Sequence, residues 1–249
     1  MIPINIYDNT KIKIYSTADG IKIANSPIKI QILNMLDEKI SEAEIVKRTG
    51  KSKSTISVHL KNLVDEGILS YKSHPLDRRS KLFYIYADYV GEVYPGQIIY
   101  SLPEVQEDII DPHGLFTEVH RQCKGLLLHH GLELSPLETK AGERIGRDLY
   151  KKLEFDGFEG FLDALRKYFA ELEIGELTIT HTDNTVLKLK GCHTKFDIEY
   201  NISTCCITTG MIKGVFSEYY QCDVSVEEVE CVSKYDDCCT FIVEKEKKN

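Results

Sequence analysis

Apolar residues recur at helical spacing in several stretches of the chain and at strand spacing in others. Between Ser26 and Leu36, Ile28, Ile32 and Leu36 lie four apart with Leu33 widening the stripe, and Pro27 after Ser26 suits a first helical turn. Ser41 followed by Glu44 forms a capping-box pattern that opens a short helix over 42–47, which Thr49-Gly50 breaks. Ser52 caps a further helix in which Ile56, Leu60 and Leu63 point one way, and Gly67 ends it. Residues 68–72 and 81–86, joined by a turn holding Pro75 and Asp77, read as a two-stranded hairpin with a basic tip.

Helix, turn, second helix and hairpin in that order predict a winged helix-turn-helix. Residues 86–112 have little periodicity and contain Pro95, Gly96, Pro103 and Pro112, which predicts a connector with at most one short helix. A helix over 115–130 would put Phe116, Val119, Cys123, Leu126, Leu127 and His130 on one face. Ala141, Ile145, Leu149 and Leu153 mark a second helix, and Phe158, Phe161, Leu162, Leu165, Tyr168, Phe169 and Leu172 a third. Alternation at Leu177/Ile179, at 186–189 and at Phe196/Ile198/Tyr200 predicts antiparallel strands. A helix over about 203–220 and strands over 224–232 and 239–243 follow. The expected fold is α+β: a winged helix-turn-helix over 1–90, a connector over 91–112, and an α+β domain over 113–249 with an antiparallel sheet and flanking helices.

Charge divides the 249 residues at the same place. The chain carries a net −8, but residues 1–90 hold 14 Lys and Arg against 10 Asp and Glu, and the remainder 17 against 29. A mildly basic unit ahead of a strongly acidic one predicts that the first meets phosphates and the second does something else. Groove readers place small polar side chains of one helix on base edges and basic residues on phosphates. By that reasoning Lys51, Lys53, Ser54, Thr55, Ser57, His59 and Lys61 face DNA, and His74, Arg78, Arg79 and Lys81 form the wing tip. The alternative is a solvated basic face on a winged helix that binds protein.

All eight cysteines lie in the acidic part, six of them from residue 205 onward. The first residues lack an apolar targeting core, and no run approaches the roughly 18 apolar residues of a spanning helix, so a cytoplasmic protein with no membrane partner is expected. In that compartment clustered cysteines read as metal or thiol chemistry before structural disulfides. Cys205 shares a helical stripe with Ile212, Phe216 and Tyr219, and Cys239 shares a strand face with Phe241 and Val243, so both point inward. Cys206, Cys222 and Cys238 are candidates for a redox switch, and buried apolar cysteines remain the plain alternative. The histidines at 113, 120, 129, 130, 181 and 193 have no metal-spaced partners. Gly142 and Gly146 fit close helix packing. No nucleophile, base and orienter stand in a recognisable arrangement, which argues against an enzyme.

The segment EAEIVKRTGKSKSTISVHLKNLVDEGIL resembles the ArsR-like repressors of bacteria and archaea, with the likeness covering roughly residues 20–90. AGERIGRDLY, TCCITTGMIKGVFSEYY and EEVECVSKYDDCCTFIVE resemble the 4-vinyl reductase domain over roughly 113–245, a fold shared with vesicle-tethering subunits. As a whole the chain is similar to methanogen transcriptional regulators that join the two and respond to redox state. The first resemblance implies a homodimer on double-stranded operator DNA; regulators of that type often carry metal-binding cysteines in the winged helix, and none occurs here. The second implies a cavity for a small apolar or aromatic ligand, for which Phe116, Ile145, Leu149, Phe161, Leu165 and Phe169 are the candidate lining. It also implies a zinc held by three cysteines and a glutamate: Cys205, Glu228, Cys231 and Cys239 match that pattern at every interval. Glu228 and Cys231 are an odd number apart, so a regular strand would separate them and a bulge or turn is needed. The family's name also carries an alternative role, as an enzyme or accessory factor of tetrapyrrole vinyl reduction.

Overall fold

The computed structural model describes residues 11–75, 80–95, 112–181, 184–192 and 205–246. The chain separates into two compact units, Met1–Gln97 with Gly131–Leu134, and Ile98–His130 with Ser135–Asn249.

In the first unit a hairpin of β1 (Ile12–Thr17) and β2 (Gly20–Ala24) precedes α1 (Pro27–Leu33), β3 (Ile40–Ser41), α2 (Glu42–Thr49) and α3 (Lys53–Asp65). Next come β4 (Leu69–Ser73), β5 (Lys81–Ile85) and β6 (Asp88–Val93). The caps form as the sequence requires: Ser41 Oγ accepts from the Glu44 amide and Ser52 Oγ from the Thr55 amide, each at 3.2 Å. Gly50 closes α2 in the left-handed region at φ 66°, where a side chain would be strained. Strands β3, β5 and β4 form one antiparallel sheet in the order β3-β5-β4. Ile32, Leu33, Ile45, Ile56, Leu60, Leu63 and Phe83 fill the core between it and the helices.

Two parts of this unit depart from expectation. The stretch read as connector contains β6, and the N-terminal residues contain β1 and β2. All three join a sheet ordered β2-β1-β6-β7, whose last strand β7 (Leu132–Glu133) comes from much later in the chain. Side-chain alternation in β6 is masked by Gly91 and by a register shift where β1 meets it, so period-2 patterning is lost. That sheet encloses Glu92, which accepts from Lys11 Nζ at 2.8 Å and from the Tyr94 hydroxyl at 2.9 Å. Burial alone would raise this carboxyl, but the hydrogen bonds from Lys11, Tyr89 and Tyr94 outweigh it and hold it below the ordinary glutamate range. A carboxyl that titrates lower in the folded chain stabilises the fold above about pH 4.3 and loses that contribution as the pH falls through the folded value. The urea midpoint of this unit is therefore expected to drop on acidification, and Glu92→Gln to flatten the drop; an unchanged acid profile in the variant would assign the effect to other carboxylates.

The second unit contains α4 (Pro112–His129), α5 (Ser135–Tyr150), α6 (Gly157–Glu171), β8 (Glu176–His181) and β9 (Thr185–Lys190). It ends with α7 (Cys206–Tyr220), β10 (Val224–Glu230) and β11 (Cys239–Lys245). Its four described strands make an antiparallel sheet ordered β10-β11-β9-β8. The sheet and the inner faces of α6 and α7 bury Phe161, Phe169, Leu187, Leu189, Phe216 and Phe241. The expected strand at Phe196, Ile198 and Tyr200 lies outside the described residues. Among the described residues no helix is long and apolar enough to cross a membrane.

Helix α4 turns the opposite face inward from the one expected, and α5 is rotated part of a turn from its expected face. On α4, Phe116, Val119, Cys123 and Leu126 are exposed, whereas Glu118 and Lys124 are buried. Those charges are accommodated because Arg121 donates to both Glu118 oxygens at 2.8 Å and Lys124 Nζ lies 2.5 Å from Glu138. On α5, Ile145 is half exposed and the packed positions are Gly142, Gly146 and Leu149. The reason is backbone proximity: a Cβ on Gly142 would lie 2.1 Å from the Ile207 carbonyl oxygen, and one on Gly146 2.2 Å from that of Met211. Gly210 and Gly214 of α7 meet the Thr139 and Glu143 oxygens at 2.1 and 2.2 Å in the same way. α5 and α7 are locked by two glycine pairs four residues apart, and side-chain periodicity does not report such an interface.

Candidate functional site

The outward side of α3 follows from which of its residues are buried. Ile56, Leu60 and Leu63 face the core, which turns Ser54, Val58 and Lys61 to the opposite side, all exposed. Lys51, Lys53 and Ser57 are exposed as well, and the Ser57 hydroxyl donates to the Glu42 carboxylate of α2. Thr55 is half-buried with its hydroxyl 2.8 Å from that of Ser52, so it serves the helix cap. His59 sits on the flank, half-buried, with a buried Nδ1 that has no hydrogen-bond partner among the described residues. On the hairpin, His74 is half-buried and Lys81 is exposed with its ammonium 3.8 Å from the centre of the Tyr71 ring. Arg78 and Arg79 lie outside the described residues. An open groove of about 860 Å³ bounded by α2, α3 and the hairpin brings Lys53, Ser57, Lys61, Tyr71 and Lys81 together, with Glu42 and Asp65 also in its lining. Val58, 57% exposed, interrupts the polar pattern that marks the other candidates; an apolar branched side chain at that place could contact a thymine methyl.

The second site is a cluster of donors. One ligand atom each from Cys205, Glu228, Cys231 and Cys239 falls within 4.8 Å of the others. Cys205 stands at the N-terminus of α7, Glu228 near the end of β10, Cys231 just beyond it, and Cys239 at the start of β11. The odd spacing of Glu228 and Cys231 is resolved by a register shift: Glu228 pairs with Phe241 and Glu230 with Thr240, so Val229 bulges out. The Cys231 amide donates to Asp236 Oδ2 at 2.8 Å, fixing the turn that follows. Cys205 Sγ is 3.6 Å from that of Cys239 and 3.9 Å from that of Cys231. A fourth thiol, Cys192, joins them without any signal in the sequence; its Sγ is 3.6 Å from that of Cys205. Contacts with Cys192, Cys231 and Cys239, with burial, push the Cys205 thiol far above its ordinary value. Cys192 does the same to Cys239, aided by Cys231 and burial and opposed by Cys205. Crowded thiols can ionise together only beside a cation, which makes this donor set suited to a divalent metal.

The three redox candidates have different surroundings. Cys206 is buried with its Sγ 3.9 Å from Lys124 Nζ, Cys238 is buried with its Sγ 3.7 Å from Thr240 Oγ1, and Cys222 is half-buried beyond α7. The six cavity candidates are not brought together. Leu149, Phe161, Leu165 and Phe169 fill the core, whereas Phe116 is 73% and Ile145 50% exposed. Phe161 stacks on Tyr219 at 4.4 Å and meets Phe216 edge-on at 5.3 Å, contacts of a packed interior.

The family model of bacterial regulatory proteins of the arsR family matches residues 26–71, from α1 to β4, and the 4-vinyl reductase domain model matches residues 200–245, from α7 to β11. This chain joins an arsR-type helix-turn-helix to a 4-vinyl reductase domain. The second match contains Cys205, Glu228, Cys231 and Cys239 and leaves out Cys192. The chain is 31% identical over 80 residues to the uncharacterized protein MJ0745 of Methanocaldococcus jannaschii, a match over 32% of this chain and 44% of that protein. It therefore spans less than half of that relative. Among solved structures it is similar to a vinyl-4-reductase family protein from Methanocaldococcus jannaschii, at 22% identity and TM-score 0.40, covering 57% of this chain and 87% of that one. It is also similar to the phenol-responsive sensory domain of the transcription activator PoxR, at 16% identity and TM-score 0.44, covering 56% and 77%. The arsR-type unit points to DNA-binding regulation.

Proposed function

We propose that this protein is a transcriptional regulator whose arsR-type unit binds double-stranded operator DNA as a homodimer, and whose 4-vinyl reductase unit holds zinc and senses redox state. The observation that carries the first half is the joint placement of Lys53, Ser57, Lys61 and Lys81 along one groove, with Ser54 and Val58 outward on the same helix. α3 enters the major groove, Ser54 and Val58 read base edges, and the lysines bind phosphates. Two-fold symmetry then calls for a pseudo-palindromic operator with half-sites whole helical turns apart.

For the second half, four donors from α7, β10 and β11 converge within 4.8 Å, a set that suits a tetrahedral zinc. When bound, zinc would supply a structural cross-link and stabilise the thiolates. Cys205, Glu228, Cys231 and Cys239 would orient its sphere, and the Asp236 carboxylate holds Cys231 in place. A redox response is favoured over a cavity at the six candidate positions, because thiols gather here while four of those positions are packed and two face outward.

Substituting Lys53, Lys61 and Lys81 together by alanine is expected to weaken binding to all DNA sequences and to reduce the slope of log affinity against log salt by about 5, roughly 0.9 for each of the phosphates that the three lysines of both protomers no longer neutralise. Ser54→Ala should instead change sequence preference by about 1–3 kcal/mol at one position of each half-site. Fluorescence anisotropy on selected operators across a salt series measures both. Wild-type affinity and slope in the triple variant would show that the winged helix serves another partner.

A further inference from the structure

We propose that a polar hollow at the C-terminal end of α7 binds a linear polyamine. The hollow has a volume of about 470 Å³ and is lined by Arg147 of α5, by Ser217, Glu218 and Cys222 at and just past the end of α7, and by Asp223 and Glu246. Asp223 immediately precedes β10, Glu246 immediately follows β11, and the Glu246 amide donates to the Asp223 carbonyl at 3.1 Å. The cysteine cluster lies at the other end of the same three elements, since Cys205 opens α7, Cys231 follows β10 and Cys239 begins β11. Ser217 carries the inference. It continues the face of α7 that holds Gly210 and Gly214 against α5, it is only 3% exposed, and its hydroxyl oxygen has no hydrogen-bond partner among the described residues. A buried hydroxyl left unpaired is a cost that native interiors seldom carry, so a partner entering from the hollow is called for.

Charge selects a cation. The lining holds three carboxylates and one guanidinium, a net −2, and the negative end of the α7 dipole adds to it. Arg147 is already matched, donating from Nη1 to Glu218 at 2.7 Å and from Nη2 to Glu143 at 2.8 Å, with Asp223 Oδ1 4.0 Å from Nη2. Geometry excludes a single metal ion as the occupant that all three carboxylates share. Among the described residues, the set of three or more acidic, thiol or imidazole groups gathered within 4.8 Å is the cysteine cluster, and Glu218, Asp223 and Glu246 form no such set. Separated carboxylates suit a ligand whose positive charges are themselves separated, as in an unbranched chain with ammonium groups along it. A terminal ammonium has three donors on a slim stem, so it can reach the Ser217 hydroxyl and the carbonyls that the last turn of α7 leaves unpaired. A further ammonium then meets Asp223 and Glu246, both exposed at the rim. The site depends neither on zinc nor on DNA contacts, so it stands apart from the function proposed above.

Titration calorimetry of spermidine into the full-length protein tests this, with magnesium chloride at matched ionic strength as the control for general attraction to an acidic surface. Saturable binding of one spermidine per chain is expected, with no such isotherm for magnesium. Ser217→Ala should weaken it by at least about tenfold, the loss of one hydrogen bond to a charged group. The same variant without spermidine should keep or raise the melting temperature, because its hydroxyl has no protein partner to lose. Asp223→Asn with Glu246→Gln should weaken binding by about tenfold and lessen its salt dependence. Wild-type affinity in both variants, or an equal isotherm for magnesium, overturns the proposal. Ser217→Ala that lowers stability and leaves affinity unchanged assigns the hydroxyl to an ordered water and overturns it too. Should a variant fail to fold, the wild-type protein still decides: saturating spermidine should slow the alkylation of Cys222 in the lining and leave that of the exposed Cys123 unchanged, read by peptide mass. No protection of Cys222 removes the site.

Discussion

Alanine at Gly210 is expected to destabilise the 4-vinyl reductase unit by about 2–3 kcal/mol, lowering its melting temperature by roughly 5–10 °C. The new methyl would meet the Thr139 carbonyl oxygen at 2.1 Å and the Glu143 amide nitrogen at 2.8 Å. Both belong to the backbone of α5, so no side chain can swing aside, and the two helices must separate by about 1 Å to restore ordinary contact. Separation loosens the packing of α5 on α7 and draws α7 from the sheet it covers with Ile212 and Phe216. Alanine's better helix propensity returns only about 1 kcal/mol. Gly146→Ala should act similarly, and the two together should cost less than their sum, because one displacement relieves both clashes. Gly160→Ala in α6 is the control: its Cβ would sit 3.7 Å from Phe155, an ordinary contact, and stability should hold or rise. Urea midpoints for the three variants decide the matter. A wild-type midpoint for Gly210→Ala would mean that the helices are farther apart than described.

Removal of the metal is expected to have the other large effect. Through the proposed zinc, Cys205, Cys231 and Cys239 would tie the start of α7 to the end of β10 and the start of β11, two strands that already pair there with Glu230 opposite Thr240. Structural zinc supplies about 10–16 kcal/mol of folding free energy in small fingers. This unit has a core of its own and needs far less. A loss of about 3–5 kcal/mol, or roughly 10 °C in melting temperature, is expected on chelation or in Cys231→Ser. Calorimetry with and without chelator measures it, and restored zinc should restore the transition in the wild-type protein but not in the variant. Identical transitions with and without chelator would deny the ion a structural role.

The elements legible in the sequence are those whose signals are local. Ser41 and Ser52 announce their helices because a cap depends on residues three positions away, and Ile56, Leu60 and Leu63 mark their face because the core of the first unit lies on one side of α3. Cys205 and Cys239 can be assigned inward by the same reasoning, and the need for a bulge between Glu228 and Cys231 follows from parity alone. Features set by distant partners are not legible in this way. Lys124 and Glu118 are buried because Glu138 and Arg121 satisfy them, which reverses the apparent face of α4. Ile145 is displaced outward because glycines, with no side chain to register in a hydrophobic pattern, form the true contact surface of α5. Cys192 carries no periodic signal at all, since it follows the last residue of a strand and a glycine, and only the pairing of β9 with β11 brings it to Cys205.

The pairing of β7 with β6, Val93 opposite Leu132 and Glu92 opposite Glu133, bears on how the protein is made. On the ribosome, the sheet beside the winged helix cannot be finished when residue 95 emerges; it waits until residue 134 has left the exit tunnel, by which time α4 has been synthesised. Until then β6 presents an open edge able to pair with the β6 of another nascent chain. The same holds for a fragment cut after residue 97 to obtain the DNA-binding unit alone: it would carry that open edge permanently. A fragment intended to stay monomeric should therefore include residues 131–134 or carry a lysine on the outer side of β6.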